Sequence, residues 1–152
     1  MNKTLIALLM LAVPLAAFAQ GKDAFDACQV LTQADAEMAL GKAVAVPELP
    51  KGKKPVVSAT CTWMAGEDSV SAQFIGGKTD AEVKKTFDEM RLQYQTKPVM
   101  IPGMEGFWSA KTGKFYALKG RTAVIVGLGS PRLNERDADK TRKLAEALLA
   151  KM

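Results

Sequence analysis

Histidine is absent from all 152 residues. That gap removes Ser-His-Asp and Cys-His catalysis, together with the zinc sites that depend on imidazole. Cysteine is nearly absent as well. Cys28 and Cys61 are the only two, too few for an all-cysteine zinc site or a cysteine-ligated iron–sulfur cluster. Long apolar runs are missing except at the N-terminus, where Thr4 to Phe18 carries no charge. What remains is ordinary globular material: 48% hydrophobic and 24% charged residues with a net charge of +5. This composition can build a core and argues against disorder.

The apolar run is shorter than the ~20 residues of a membrane-spanning helix. Lys3 precedes it, and Ala17-Phe18-Ala19 follows with the small residues that signal peptidase selects at −3 and −1. Residues 1–19 therefore read as a signal peptide and 20–152 as one domain, with no transmembrane segment in the mature chain. Gln20 stands where a lipoprotein needs cysteine, and Phe25-Asp26-Ala27 before Cys28 is not a lipobox. The expectation is a periplasmic or secreted protein, free of lipid and monomeric. An oxidising compartment favours pairing Cys28 with Cys61. Closing that loop of about 34 residues contributes roughly 3–4 kcal/mol on the chain-entropy account. A redox pair is the competing reading, but the C-x-x-C spacing is missing.

Along the mature chain, Leu31 to Gly41 reads as a helix with Thr32 as N-cap, Asp35 three residues on and Gly41 as the stop. Val44 to Val46 is a brief strand, and the prolines of Pro47 to Pro55 make a loop. Val56 to Met64 and Ser69 to Ile75 alternate apolar and polar residues, predicting a hairpin. Thr79 and Glu82 form a capping box before Val83, Phe87, Met90 and Tyr94, which recur at helical spacing. Pro102 to Gly106 reads as a turn, followed by a three-stranded meander over Phe107–Ala110, Phe115–Leu118 and Thr122–Val126. A loop over Gly127–Asn134 and a helix from about Glu135 to Lys151 close the chain. The order α-β-β-α-β-β-β-α predicts a single α+β domain, an antiparallel sheet with helices packed on it.

Four short runs carry a resemblance: Asp26-Ala27-Cys28-Gln29-Val30-Leu31-Thr32, Ala39-Leu40-Gly41, Cys61-Thr62-Trp63 and Ile101-Pro102-Gly103-Met104-Glu105-Gly106. Together they resemble a family of small secreted domains of unknown function, best populated among actinobacterial lipoproteins, with the pattern C-x-L-L-T, a-l-G, C-t-[WY] and v-P-G-x-G-[DE]. The resemblance implies a PsbP-like α/β sandwich and a Cys28–Cys61 disulfide. The chain departs from the pattern in lacking a lipobox and in placing Glu105 before Gly106. The family has no established catalytic residues, so none carries over.

The remaining motifs favour plain readings. Gly127-Leu128-Gly129 lacks the third glycine of a dinucleotide turn, Arg132 standing there. Met64, Met100 and Met104 offer thioethers to Cu(I), but methionine commonly fills gaps in cores. Asn134, Asp137 and Asp139 lack the EF-hand pattern. The carboxylates Asp80, Glu82, Asp88 and Glu89 are interleaved with lysines, as on a solvated helix face. Arg132, Arg136, Lys140, Arg142 and Lys143 could hold the phosphates of lipid headgroups or lipopolysaccharide, but they are interleaved with Glu135, Asp137 and Asp139, which weakens their field and reads as an ion-paired helix face. Lys51, Lys53 and Lys54 form a second basic patch in a proline-bounded loop.

Without a catalytic constellation, a cofactor motif or a nucleic-acid signature, the sequence points to a non-enzymatic binding or accessory domain of the cell envelope. Its partner is an envelope protein or a small ligand. The alternative is an inhibitor or immunity-type protein that blocks a secreted hydrolase. The candidate contact loop is Gly103, Met104, Glu105, Phe107 and Trp108, with Met104 and Glu105 expected to project from a tight turn and Lys51, Lys53 and Lys54 as neighbours. In the strand that follows, Phe107 and Trp108 face opposite ways, so one is expected buried and the other more exposed. Intact mass of the exported protein tests the N-terminal reading. The expected species begins at Gln20, and one that keeps residues 1–19 or carries lipid on Cys28 contradicts it.

Overall fold

Capping chemistry fixes the first described turns of the chain, in a computed structural model that describes residues 25–45 and 59–152. The signal peptide expected at residues 1–19, the loop expected at Pro47–Pro55 with its Lys51, Lys53 and Lys54 patch, and the first residues of the strand expected from Val56 lie outside these residues. Asp26 accepts a hydrogen bond from the Cys28 amide at 2.9 Å and starts a single helical turn, α1 (Ala27–Val30). Thr32 and Asp35 then form a reciprocal capping box that opens α2 (Gln33–Leu40), and Gly41 ends it at φ +69°. The left-handed backbone there suits glycine, as the sequence predicts. Of the short strand expected at Val44–Val46, Ala45 makes one antiparallel bridge to Met64, and Val46 lies outside the described residues.

The predicted hairpin is β1 (Thr60–Ala65) and β2 (Asp68–Gly76), joined by a two-residue turn with Gly66 at φ +65°. Cys28 and Cys61 are bonded with their Cα atoms 5.0 Å apart. Beside the disulfide the Trp63 indole donates to the carbonyl of Leu31, the C-cap of α1, at 2.9 Å, so α1 is tied twice to β1. The helix α3 (Asp80–Gln93) begins on Thr79, whose hydroxyl accepts from the Glu82 amide. Glu82 reaches back to the Lys78 amide, one residue before the cap. Val83 and Phe87 are buried, and Met90 and Tyr94 pack against the same cluster, which is the stripe read from the sequence.

The chain then returns as four antiparallel strands, β3 (Val99–Ile101), β4 (Met104–Ser109), β5 (Lys114–Lys119) and β6 (Thr122–Gly129). Their order in the sheet is β1-β2-β6-β5-β4-β3. Among the described residues this is one six-stranded antiparallel sheet with four α-helices, a single α+β domain. This half of the chain departs from expectation in several places. A third hairpin strand, β3, stands before the predicted meander, and Gly127 to Gly129 extend β6 instead of starting the loop. The final helix α4 (Ala138–Ala150) starts three residues late, because Leu133–Glu135 forms a separate 3-10 turn and Asp137 takes the N-cap.

Each face of the sheet carries a core, and α3 covers only part of its face. Cys61, Trp63, Val70, Ala72, Phe74, Phe115, Ala117, Val124 and Val126 share one core with α1, α2 and α4. Phe107, Tyr116, Leu118, Ala123 and Ile125 form a second, smaller core under α3. The end of α4 is fastened to the start of α2, where the Lys151 ammonium meets Asp35 at 2.6 Å and the Val30 carbonyl at 3.1 Å. Burial pushes the Asp35 carboxyl up. The Lys151 ammonium and the Thr32 hydroxyl and amide outweigh it and hold the group below its ordinary 3.8. A carboxyl lowered by folding stabilises the native state fully above the ordinary value, and that contribution is lost as the pH falls through the lowered one. Asp35→Asn is expected to cost about 1 kcal/mol at neutral pH, a typical capping effect. The gap between variant and parent in urea melts should close as the pH is taken below 3.8, and a pH-independent gap contradicts the assignment.

Candidate functional site

The two-residue turn Pro102-Gly103 lets Ile101 pair with Met104 and Met100 with Glu105. Proline presets the first turn position, and Gly103 takes φ +76° at the second. This corrects the expectation that Met104 and Glu105 project from the loop. Both are strand residues of β4, paired on one side to β3, and Glu105 also pairs with Leu118 of β5. Once Met104 belongs to a strand, alternation divides the candidate loop between the two faces of the sheet.

Phe107 is fully buried. Its ring stacks on Tyr116 at 4.5 Å and meets Phe87 of α3 at 5.1 Å, so it belongs to the second core and is no contact residue. Trp108 is half-buried and packs against the other core, as does Met104. The expectation of one buried and one more exposed aromatic holds, but the half-buried one also has a core to lean on. Gly106 has a steric reason unconnected with the turn. A Cβ there would lie 2.7 Å from the Phe115 ring and 3.1 Å from the Tyr116 carbonyl.

Glu105 points the other way, into a cleft of about 390 Å³ between the start of α3, the β3–β4 hairpin and the β5–β6 turn. Ile101 and Leu118 supply apolar wall, and Gly103, Gly120 and Lys119 form the rim. Across it, Lys84 of α3 meets Glu105 at 3.1 Å and Asp88 at 3.2 Å. The hydrogen bond to Glu105 raises the Lys84 ammonium above its ordinary 10.5; desolvation opposes it, and Asp88 adds to it. An ammonium held in its charged form suits a binding cleft and is the wrong preparation for a Schiff base or a general base. Tyr116, beneath α3, is also poorly placed for proton transfer. Burial, opposed by the Thr112 hydroxyl and reinforced by Tyr94, pushes its phenol up to about 12.

Sequence reasoning missed the residue most available in this region. Met100 is 76% exposed on β3, with Val99 beside it at 42%. The signal was present in Val99-Met100-Ile101, an apolar run directly before the Pro-Gly turn, which is a hairpin strand pattern. The methionine reading changes too. Met64 and Met100 are exposed rather than core fillers, and they sit on the two opposite edge strands of the sheet. They cannot share a metal ion. Among the described residues no group of three or more Cys, Asp or Glu is placed to hold a metal.

Gly106→Ala is expected to lower stability by about 1–3 kcal/mol through overpacking against Phe115. Gly103→Ala meets open space and should act only through its positive φ, at about 1–2 kcal/mol. Denaturant melts of the two variants check this order, and a neutral Gly106→Ala contradicts the packing.

Comparison of the chain with protein-family profiles, curated proteins and solved structures found no match.

Proposed function

We propose that the chain is an exported, non-enzymatic binding domain of the cell envelope that takes an extended segment of a partner protein along the edge strand β3. The carrying observation is the edge itself. Among the described residues β3 ends the sheet with Val99 and Met100 exposed, a three-residue apolar edge bounded by Pro98 and Pro102 that is open to a short added strand. An added strand would gain main-chain hydrogen bonds from β3. It could also set an apolar side chain against Met100 and a charged one near the Lys84–Glu105 pair at the cleft. No helix among the described residues is long and apolar enough to cross a membrane, and the Cys28–Cys61 disulfide suits an oxidising compartment. These features support the periplasmic or secreted reading. Helices on both faces of one antiparallel sheet support the PsbP-like sandwich that the sequence resemblance implies.

The second reading, an inhibitor that blocks a secreted hydrolase, draws on the same hairpin. Pro102 and Gly103 are both exposed at its tip, and a short, rigid tip enters a cleft at little entropic cost. Site-specific photocrosslinking in cells separates edge binding from chance collision. A crosslinker at Met100 should yield a discrete adduct that one at Met38 does not, since Met38 is 83% exposed on α2, which packs against β1, β2 and β6 at the other side of the sheet. Met100→Glu should weaken that adduct at least tenfold with the thermal midpoint unchanged. Identical adduct patterns at both positions, or none at Met100, remove the proposal.

A further inference from the structure

The basic cluster around α4 divides into two kinds of residue. Arg132 pairs with Glu135, Arg142 with Asp139 and Glu146, and Lys143 with Asp139. Arg136 does not follow them. Its Nε donates to the Ser130 carbonyl at 2.8 Å and one terminal nitrogen donates to the Gly113 carbonyl at 3.2 Å. Neither partner carries charge, and the guanidinium's other N–H groups have no acceptor among the described residues.

These bonds lay Arg136 down on the sheet. Gly127 of β6 belongs to the face that carries Ala123 and Ile125, beyond the part that α3 covers. The point where a Gly127 Cβ would sit is 3.0 Å from the Arg136 terminal nitrogen, 3.1 Å from the Ser71 hydroxyl oxygen and 3.5 Å from Lys114 Cγ. Ser71 and Lys114 are the cross-strand partners of Gly127 on either side. One transverse row of the sheet thus gathers a fixed guanidinium, a lysine stem and a hydroxyl around a residue with no side chain. Neither Arg136 nor Lys114 has a carboxylate partner among the described residues. The Lys114 stem starts on this row, within reach of the guanidinium for its flexible ammonium, and an anion that joins the two cations is attracted by both.

We propose that this row is a binding site for a phosphate group, held by Arg136, Lys114 and the Ser71 hydroxyl. Donors that approach from a loop, from β5 and from β2 suit a tetrahedral oxyanion better than a planar carboxylate, which one fork satisfies. Gly127 lets the guanidinium settle within reach of Ser71. The site lies on a different row from the Lys84 cleft and does not depend on partner binding at β3. A soluble phosphate ester and a phospholipid headgroup both carry the required chemistry.

Amide chemical shifts followed during titration with glycerol 3-phosphate test the site, with acetate and sodium chloride at matched ionic strength as controls. The expected result is a saturable shift at Ser71, Lys114 and Gly127 that acetate and chloride do not reproduce. Lys114→Gln and Gly127→Ala should each weaken it at least fivefold. Arg136→Gln should abolish it. That variant also loses two loop contacts, so its folding is checked by its thermal midpoint, and the other two variants carry the test if it unfolds. Flotation with phosphatidylglycerol and phosphatidylcholine vesicles separates the sources. Capture by phosphatidylglycerol alone, lost in Lys114→Gln, assigns the site to a headgroup. A response to the soluble ester without capture assigns it to a soluble ester. Equal shifts with acetate or chloride, shifts that survive in Lys114→Gln and Gly127→Ala, or no response to ester or vesicle would overturn the proposal.

Discussion

One helix cannot cover six strands, and the surfaces of this domain follow from that mismatch. The 14 residues of α3 make a rod about 21 Å long and roughly 10 Å across. Six strands at about 4.8 Å spacing make a sheet some 24 Å wide. The rod packs on Phe107, Tyr116, Leu118, Ala123 and Ile125 of β4, β5 and β6, with Ile75 at its margin. Among the described residues no helix covers this face of β1 and most of β2. The residues there are Thr60, Thr62, Ser69, Ser71 and Gln73, polar in every case, with Met64 at the corner. The opposite face of the same two strands carries Cys61, Trp63, Val70, Ala72 and Phe74 under α1 and α2. Alternation along β1 and β2 thus records which side receives a helix.

The same periodicity accounts for the fate of the candidate contact loop. A turn would have left Met104, Glu105, Phe107 and Trp108 free to act together. A strand forces Glu105 and Phe107 to one side and Met104 and Trp108 to the other. Phe107 then completes the aromatic stack with Tyr116 and Phe87, while Glu105, closer to the strand end, reaches Lys84. Gly106 between them gives the Phe115 ring room to lie across β4. What looked like one mixed apolar and anionic contact loop is a core residue, an ion pair and a packing glycine in succession.

The legible parts of the fold were those fixed by local chemistry. The Thr32–Asp35 box, the Gly41 stop, the Thr79 cap and the Val83–Phe87–Met90–Tyr94 stripe each involve residues within a few positions of one another. The β1–β2 hairpin and the three-stranded meander were readable for the same reason. β3 was not, because three residues are too few to show a period, and Pro102-Gly103 drew its neighbours into the turn. The strand order was also out of reach. β2 lies beside β6 although 45 residues separate Gly76 from Thr122 by number, and no local pattern encodes that pairing. The cleft at Lys84 and the row at Gly127 depend on this order, so Glu105 and Arg136 could be singled out in sequence but the partners each meets could not.

The basic cluster before α4 shows the limit most sharply. In sequence, Arg136 is indistinguishable from Arg132, Arg142 and Lys143, all within four residues of an acid. On a helix that spacing produces ion pairs, as it does for Arg142 and Lys143. Arg136 precedes the helix, in extended backbone at φ −76° and ψ 135°, so the i,i+3 and i,i+4 rule does not apply to it. Its side chain is free to run back along the chain. It takes the Ser130 and Gly113 carbonyls, which ties the β4–β5 turn to the segment leading into α4. The 3-10 turn that delays α4 therefore does more than shorten a helix. It moves one arginine off the ion-paired face and sets its charge on the sheet, where only Gly127 leaves room for it.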